Sequence, residues 1–224
     1  MSSKLIAKSG IFLFQSKILD WFELSGRHYF SWRRKGLTPY EIVIAEVLLQ
    51  RTKAETIEKF YPGFLITFPD WETIARADIA FLEKQLQPVG LYRQRARRLQ
   101  DLAIEMVRLR GQFPTERKAL EQIPFLGQYI VNAIELQIFN RPKPLIDVNM
   151  ARLLERYFGP RKLADIRYDP YLQNLAAEVV NHSLIKEINW AILDFASMIC
   201  KSSRPLCINC LLSDTCDFSK KTLK

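Results

Sequence analysis

The stretch Glu121–Arg152, EQIPFLGQYIVNAIELQIFNRPKPLIDVNMAR, decides the fold. It reads as a helix end, a tight hairpin, a second helix and a proline-punctuated loop that delivers one isolated acid, Asp147. The hairpin is Ile123-Pro124-Phe125-Leu126-Gly127. Pro124 has no N–H and stops the preceding helix, while Gly127 can take backbone angles closed to other residues. From Gln128 the apolar residues Ile130, Val131, Ala133, Ile134, Ile138 and Phe139 recur at helical spacing. A turn feeding a helix N-terminus directs backbone N–H groups outward, where they can hold a phosphate. An ordinary buried pair of helices has the same local pattern. The rest of the chain must decide between them.

At 224 residues the chain can bury a real core in one domain or two. Glycine is scarce, 8 in all, and no long alternating strand pattern occurs, so the expected class is all-α. A net charge of +9 favours a polyanionic partner, nucleic acid before a membrane surface. The apolar run Ile11 to Phe14 is too short for a signal-peptide core or a membrane span, so an intracellular protein is expected.

Residues 11–24 fit an amphipathic helix broken at Gly26-Arg27-His28. Phe30 to Lys35 mixes aromatics with cations, which suits nucleic-acid contact and equally a packed junction. Thr38-Pro39-Tyr40-Glu41 is a strong helix start, with Thr as cap and Pro at the first helical position. The following helix, IVIAEVLLQRT, is apolar nearly all round and should be buried. Its one acid, Glu46, must find a partner there or take up a proton; it is either a structural ion or a poised acid. Gln50 and Arg51 leave that helix, facing a substrate groove or solvent. Asp70 and Asp78 should cap helices 71–77 and 79–87, with Pro88-Val89-Gly90 ending the second. A longer helix then runs from about Leu91 to Arg110 and closes at Gly111. Its opening holds Arg93, Arg95, Arg97 and Arg98, which oppose the helix dipole; they form a solvated face or contact phosphate. Pro114-Thr115 should cap a short helix before the hairpin. Val148–Phe158 is predicted helical up to Gly159-Pro160, with further helices at about 169–183 and 189–199.

Cys200, Cys207, Cys210 and Cys216 are spaced C-x6-C-x2-C-x5-C. Four cysteines confined to the end of a long chain do not look like a secreted disulfide framework. Zinc sites usually pair two C-x2-C knuckles; one such pair flanked by single cysteines suits a [4Fe-4S] cluster better. Free thiols or disulfides remain open on spacing alone.

The hairpin, the acid twenty residues after Gly127 and the cysteine spacing together resemble the helix-hairpin-helix DNA glycosylases of the endonuclease III superfamily. The resemblance runs from about Trp21 to Cys216. It implies a two-lobed all-α fold. An N-terminal segment and the C-terminal part (1–33 and 144–224) form the domain of the iron–sulfur cluster, and a six-helix domain (34–143) is inserted between them. Position 129 corresponds to the lysine nucleophile of the bifunctional members; here it is Tyr129, and no lysine follows until Lys143. A phenol cannot form a Schiff base, so hydrolysis without strand cleavage is expected. Leu145–Gly159 (LIDVNMARLLERYFG) and Ile188–Ala196 (INWAILDFA) are similar to the thymine mismatch branch. Ala45–Ile57 (AEVLLQRTKAETI) is similar to that branch and to the adenine-removing one. The usual hairpin is Leu-Pro-Gly-x-Gly, and Phe125 replaces its first glycine. If that position needs positive φ, Phe125 is strained, by roughly 1 kcal/mol or more.

The resemblance implies catalytic roles for Asp147, Glu46 and Tyr129. Asp147 would stabilise the cationic sugar, with a plain helix cap as its local alternative; Glu46 would meet the flipped base and Tyr129 would pack on base or sugar. Gln50 is similar to the residue that fills the vacated duplex, with Tyr92 as a second wedge. DNA contacts are expected from Arg51, Phe125, Leu126, Gly127, Gln128, Lys201 and Arg204. The expected partner is double-stranded DNA carrying a mismatched or damaged base, bound by a monomer in the nucleoid. Thymine or uracil opposite guanine is the first substrate expected. Adenine opposite 8-oxoguanine is second, disfavoured because the sequence stops at Lys224 without the extra domain of adenine-removing relatives. An inactive DNA-binding module of the same fold is the third reading.

Overall fold

The structure, a computed structural model, describes residues 8–222. Every regular element among them is helical, and no helix among them is long and apolar enough to cross a membrane. The chain divides into two compact units: Met1–Arg27 with Asn140–Lys224, and His28–Phe139. The outermost ends of the expected first domain, 1–7 and 223–224, lie outside the described residues.

The His28–Phe139 unit holds α2 (Pro39–Leu49), α3 (Ala54–Thr67), α4 (Trp71–Arg76), α5 (Ile79–Leu86), α6 (Tyr92–Arg108), α7 (Arg117–Leu120, a single turn) and α8 (Gln128–Gln137). Its helix starts follow the sequence signals. Glu41 N–H donates to Thr38 Oγ1 at 3.2 Å while Glu41 Oε2 accepts from Thr38 N–H at 2.7 Å, a complete capping box with Pro39 behind it. Asp70 and Asp78 accept from Thr73 N–H and Phe81 N–H at 2.8 and 2.9 Å. The core gathers Val43, Ile44, Leu48, Ile57, Leu99 and Ile130, all fully buried. α3 is not among the helices expected from the sequence; it carries Pro62 in its interior, a residue that ordinarily breaks a helix. The helix before the hairpin starts one step later than Pro114-Thr115 implies, with Glu116 as its N-cap.

Phe30 and Trp32 stack at 4.4 Å in this core, and Ser31 donates twice to Glu58, so the aromatic–cation segment is a packed junction. It belongs with His28–Phe139 rather than with the N-terminal segment, because its rings are 1 % and 6 % exposed there.

The other unit holds α1 (Lys8–Ser25), α9 (Val148–Phe158), α10 (Pro170–Val180), α11 (Ile185–Met198) and α12 (Asp217–Thr222). α11 packs against α1 and α9. It begins earlier than expected and ends at Met198, two residues before Cys200. Asp194 on α11 is fully buried and accepts from Arg27 N–H, Nε and Nη2 at 2.8, 2.9 and 2.6 Å. That clamp returns the chain after α1 to the same core, and a buried carboxylate survives only with such partners.

Candidate active site

Asp147 is the N-cap of α9. Its Oδ1 accepts from the N–H groups of Asn149 and Met150, both at 2.8 Å, and its Oδ2 accepts from Asn149 Nδ2 at 2.7 Å. The cap role and an available second oxygen coexist, because a carboxylate offers about four acceptor positions. Burial raises the Asp147 pKa above the ordinary range; the three hydrogen bonds and nearby Arg152 pull the other way and only partly offset it. The loop delivering this acid is anchored by Asn189 of α11, fully buried. Its Oδ1 accepts from Leu145 N–H at 2.8 Å and its Nδ2 donates to the carbonyl of Ile185 at 2.8 Å. Arg152 donates to Asn149 Oδ1 at 3.0 Å and to the carbonyls of Ala196 and Cys200 at 2.7 and 2.9 Å. The last two carbonyls are at the end of α11, where a cation is favoured.

The four cysteines are unbridged, and all line one cavity with Leu153, Phe195, Ile199 and Leu212. Burial pushes the Cys210 thiol up to about 11 and raises Cys207 and Cys216 as well. Arg156 stands at the rim, donating to Cys200 Sγ at 3.4 Å and to the carbonyl of Lys201 at 2.7 Å. Among the described residues, no three His, Cys, Asp or Glu side chains are grouped as a single ion needs. The thiols surround a common space instead. Lys201 and Arg204 are both exposed in this loop, and Arg204 holds φ 51°.

In the His28–Phe139 unit, Glu46 is 4 % exposed on α2 and its Oε1 accepts from Gln137 Nε2 of α8 at 2.5 Å. Gln50 caps the C-terminus of α2 and is half-buried; Arg51 after it is exposed at φ 58°. Arg95 fixes this exit. Its Nη1 donates to the carbonyls of Val47 and Leu48 at 2.7 and 3.1 Å, and its Nη2 to the Gln50 carbonyl and Thr52 Oγ1, both at 3.0 Å. Arg95 therefore does not belong with a solvated or phosphate-binding run: it is 5 % exposed and caps α2. Tyr92, half-buried, opens α6 with Arg93 over its ring at 5.6 Å.

The hairpin meets the condition raised for Phe125 and departs from expectation at Gly127. The left-handed residue is Phe125, at φ 70°, whereas Gly127 has φ −70°, ψ 169° and is the N-cap of α8. No side chain of the cap residue covers the N–H groups of this helix. Leu126 is 5 % exposed, so only its backbone can meet a ligand, and its N–H already donates to Ile123 O at 3.3 Å. Gln128 and Tyr129 begin α8 half-buried. Arg117 braces the turn by donating to Glu121 at 2.9 Å, to Asn132 at 2.9 Å and to Glu135.

Sequence reasoning missed Gln137, Asn149, Arg152, Asn189 and the true place of Arg95. For Arg95 a signal existed: it falls in register with Leu99, Leu102 and Met106 on the buried face of α6. The others are polar residues whose partners are far away in sequence or depend on a cap geometry.

Comparisons with known proteins bear on the family and the fold. Residues 44–178 match the model of the HhH-GPD superfamily base excision DNA repair proteins. The chain is 33% identical over 213 residues to a thymine/uracil-DNA glycosylase of Pyrobaculum aerophilum, covering 93% of this chain and 92% of that one. It is 28% identical to the adenine DNA glycosylase of Homo sapiens, over 91% of this chain and 39% of that protein. The solved structure of a thermostable thymine-DNA glycosylase superposes with a TM-score of 0.86 at 30% identity, covering 95% of this chain and 98% of that one. A non-covalent endonuclease III–DNA complex, at 18% identity, shares the fold with a TM-score of 0.82 over 98% of this chain and 99% of that one. With its family model matched over more than half its length and its helices arranged as in these relatives, the chain belongs to the HhH-GPD superfamily of base excision DNA repair proteins.

Proposed function

We propose that this protein is a monofunctional DNA glycosylase that hydrolyses the bond between deoxyribose and a thymine or uracil mispaired with guanine. The state of Asp147 carries the reading: a burial-strained carboxylate, immobilised by a helix start, with Oδ2 committed only to Asn149. Mispaired bases cost least to extrude from the stack. As the base departs, positive charge builds on the sugar, and a fixed carboxylate stabilises it without reorganising. The same carboxylate can orient the attacking water. Names of relatives at about one-third identity support thymine and uracil as the bases removed.

By the family resemblance Tyr129 would stand where lyase chemistry needs a lysine, and α8 contains no lysine. Tyr129 would pack against base or sugar. Glu46, fixed by Gln137, would contact the flipped base. Gln50 would fill the gap in the duplex with Tyr92 as an alternative wedge. The hairpin from Phe125 to Gln128 would hold the phosphate backbone together with Arg51, Lys201 and Arg204.

Cys200, Cys207, Cys210 and Cys216 would hold a [4Fe-4S] cluster. The fit rests on four soft donors around one apolar cavity with Arg156 at its rim. When bound, the cluster supplies a brace for the loop that carries Lys201 and Arg204. The unit containing these cysteines would then be the iron–sulfur domain, acting on DNA as a monomer in the nucleoid.

A second reading, adenine opposite 8-oxoguanine, draws on Glu46, a buried acid able to protonate a purine, and on adenine-removing relatives. One experiment separates these. Duplexes bearing T:G, U:G or A:8-oxoguanine are incubated with the protein and then treated with alkali. Cleavage of T:G and U:G is expected; cleavage of A:8-oxoguanine alone moves the assignment to adenine. Scission before alkali overturns the monofunctional assignment, and no cleavage at all leaves a DNA-binding module.

A further inference from the structure

We infer that Arg98 and Phe125 form a phosphate grip of this chain's own, built onto the hairpin by the residue that replaces its usual glycine. The inference rests on the DNA-acting role proposed above. Phe125 occupies φ 70°, a conformation that glycine adopts freely and a phenylalanine does not. A bulky residue held there needs a contact that compensates for the strain, and its surroundings supply two. Its ring packs partly against the core, and the Arg98 guanidinium stands over it with Cζ 5.2 Å from the ring centroid.

Arg98 lies on the exposed side of α6. Among the described residues it forms no ion pair, unlike Arg108 on the same helix, which is taken by Glu105. A guanidinium parked over a ring keeps its fork of N–H donors for an anion, and phosphate matches that fork. The ring also spares Arg98 much of the side-chain freedom that a solitary surface arginine loses on binding. Gly127, two residues after Phe125, is the N-cap of α8 and brings no side chain to it, so the cation stands in the same turn as this helix start. Within the four-arginine run the roles divide: Arg95 is inside and structural, Arg98 is outside and aimed at the hairpin.

The test is duplex binding by fluorescence anisotropy across a salt series, using the intact chain. Arg98→Ala should lose five- to tenfold in affinity at low salt, and its log K against log[salt] slope should fall by about 0.9, one phosphate's worth. Phe125→Leu, which keeps bulk but removes the ring face, should weaken binding in the same direction and by less. Lys84→Ala, an exposed charge elsewhere in the same unit, should leave the slope at the wild-type value. A wild-type slope for Arg98→Ala, or an equal fall for Lys84→Ala, overturns the grip. If the wild-type protein itself shows no salt-dependent binding, the DNA-acting role fails instead.

Discussion

Two helices of this chain start twenty residues apart and treat their N-termini in opposite ways. α8 starts behind Gly127, which brings no side chain to its N–H groups, and a strained Phe125 precedes it. α9 starts behind Asp147, whose own carboxylate takes two of those N–H groups at once. The partial positive charge at a helix start is the same in both. In α8 no cap side chain draws on it; in α9 it holds an internal anion still. An acid that must act on a transient cation has to be immobile, while a surface that grips phosphate has to be accessible. Under the function proposed here, one local device would serve two tasks according to the residue at the cap.

The sharpest way to break this contrast is Asp147→Asn. Asn caps a helix as well as Asp, so melting temperature should hold or rise as a desolvated charge is removed. Single-turnover base excision should fall roughly 10²–10³-fold, about 3–4 kcal/mol of lost stabilisation. Unchanged excision would take Asp147 out of the chemistry and leave it a cap like any other.

The converse substitution gives the hairpin helix what α9 already has. A Cβ at Gly127 meets nothing within 4 Å, and φ −70° suits any residue, so Gly127→Asp should fold. It should stabilise α8 by about 0.5–1 kcal/mol and weaken duplex binding roughly tenfold, as the new carboxylate repels phosphate. Calorimetry paired with anisotropy reads both; tighter binding would mean that the helix start is not a phosphate site.

A smaller effect is expected in the pH profile. Burial raises the folded-state pKa of Asp147, and the proposed chemistry would need the ionised form. Excision should therefore fall as pH drops through a value above the ordinary aspartate figure of about 3.9. An acid limb at or below that figure would mean that the carboxylate is not desolvated in the working enzyme. Smallest of all, Asp147→Ala should melt below Asp147→Asn by about 1 kcal/mol, the worth of the cap alone.

Much of this molecule was legible in one dimension. Thr38 with Pro39 and Glu41, the caps at Asp70 and Asp78, and the helix from Val148 to Phe158 all follow from local backbone chemistry and appear where expected. The phenol at position 129 and the cysteine spacing need no coordinates to be noticed. The hairpin shows where such reading stops. The sequence offered Gly127 for unusual backbone angles and named Phe125 as strained only if its position needs positive φ; the fold shows that the left-handed backbone belongs to Phe125 and not to Gly127. Arg117, donating to Glu121, Asn132 and Glu135, braces the turn from outside the motif.

By itself the sequence determined most of the helices, the starts that carry a capping signal, and that Asp147 heads one of them, since dihedral preference, capping and periodicity act over a few residues. Only the tertiary structure decided the partners. Glu46 is held by Gln137, 91 residues away, and Asn189 anchors the Asp147 loop from 44 residues beyond Leu145. It also sent two arginines of one short run to different fates, Arg95 into the core and Arg98 over Phe125. Such assignments depend on which surfaces are buried against each other, and burial is a property of the packed chain rather than of any stretch within it.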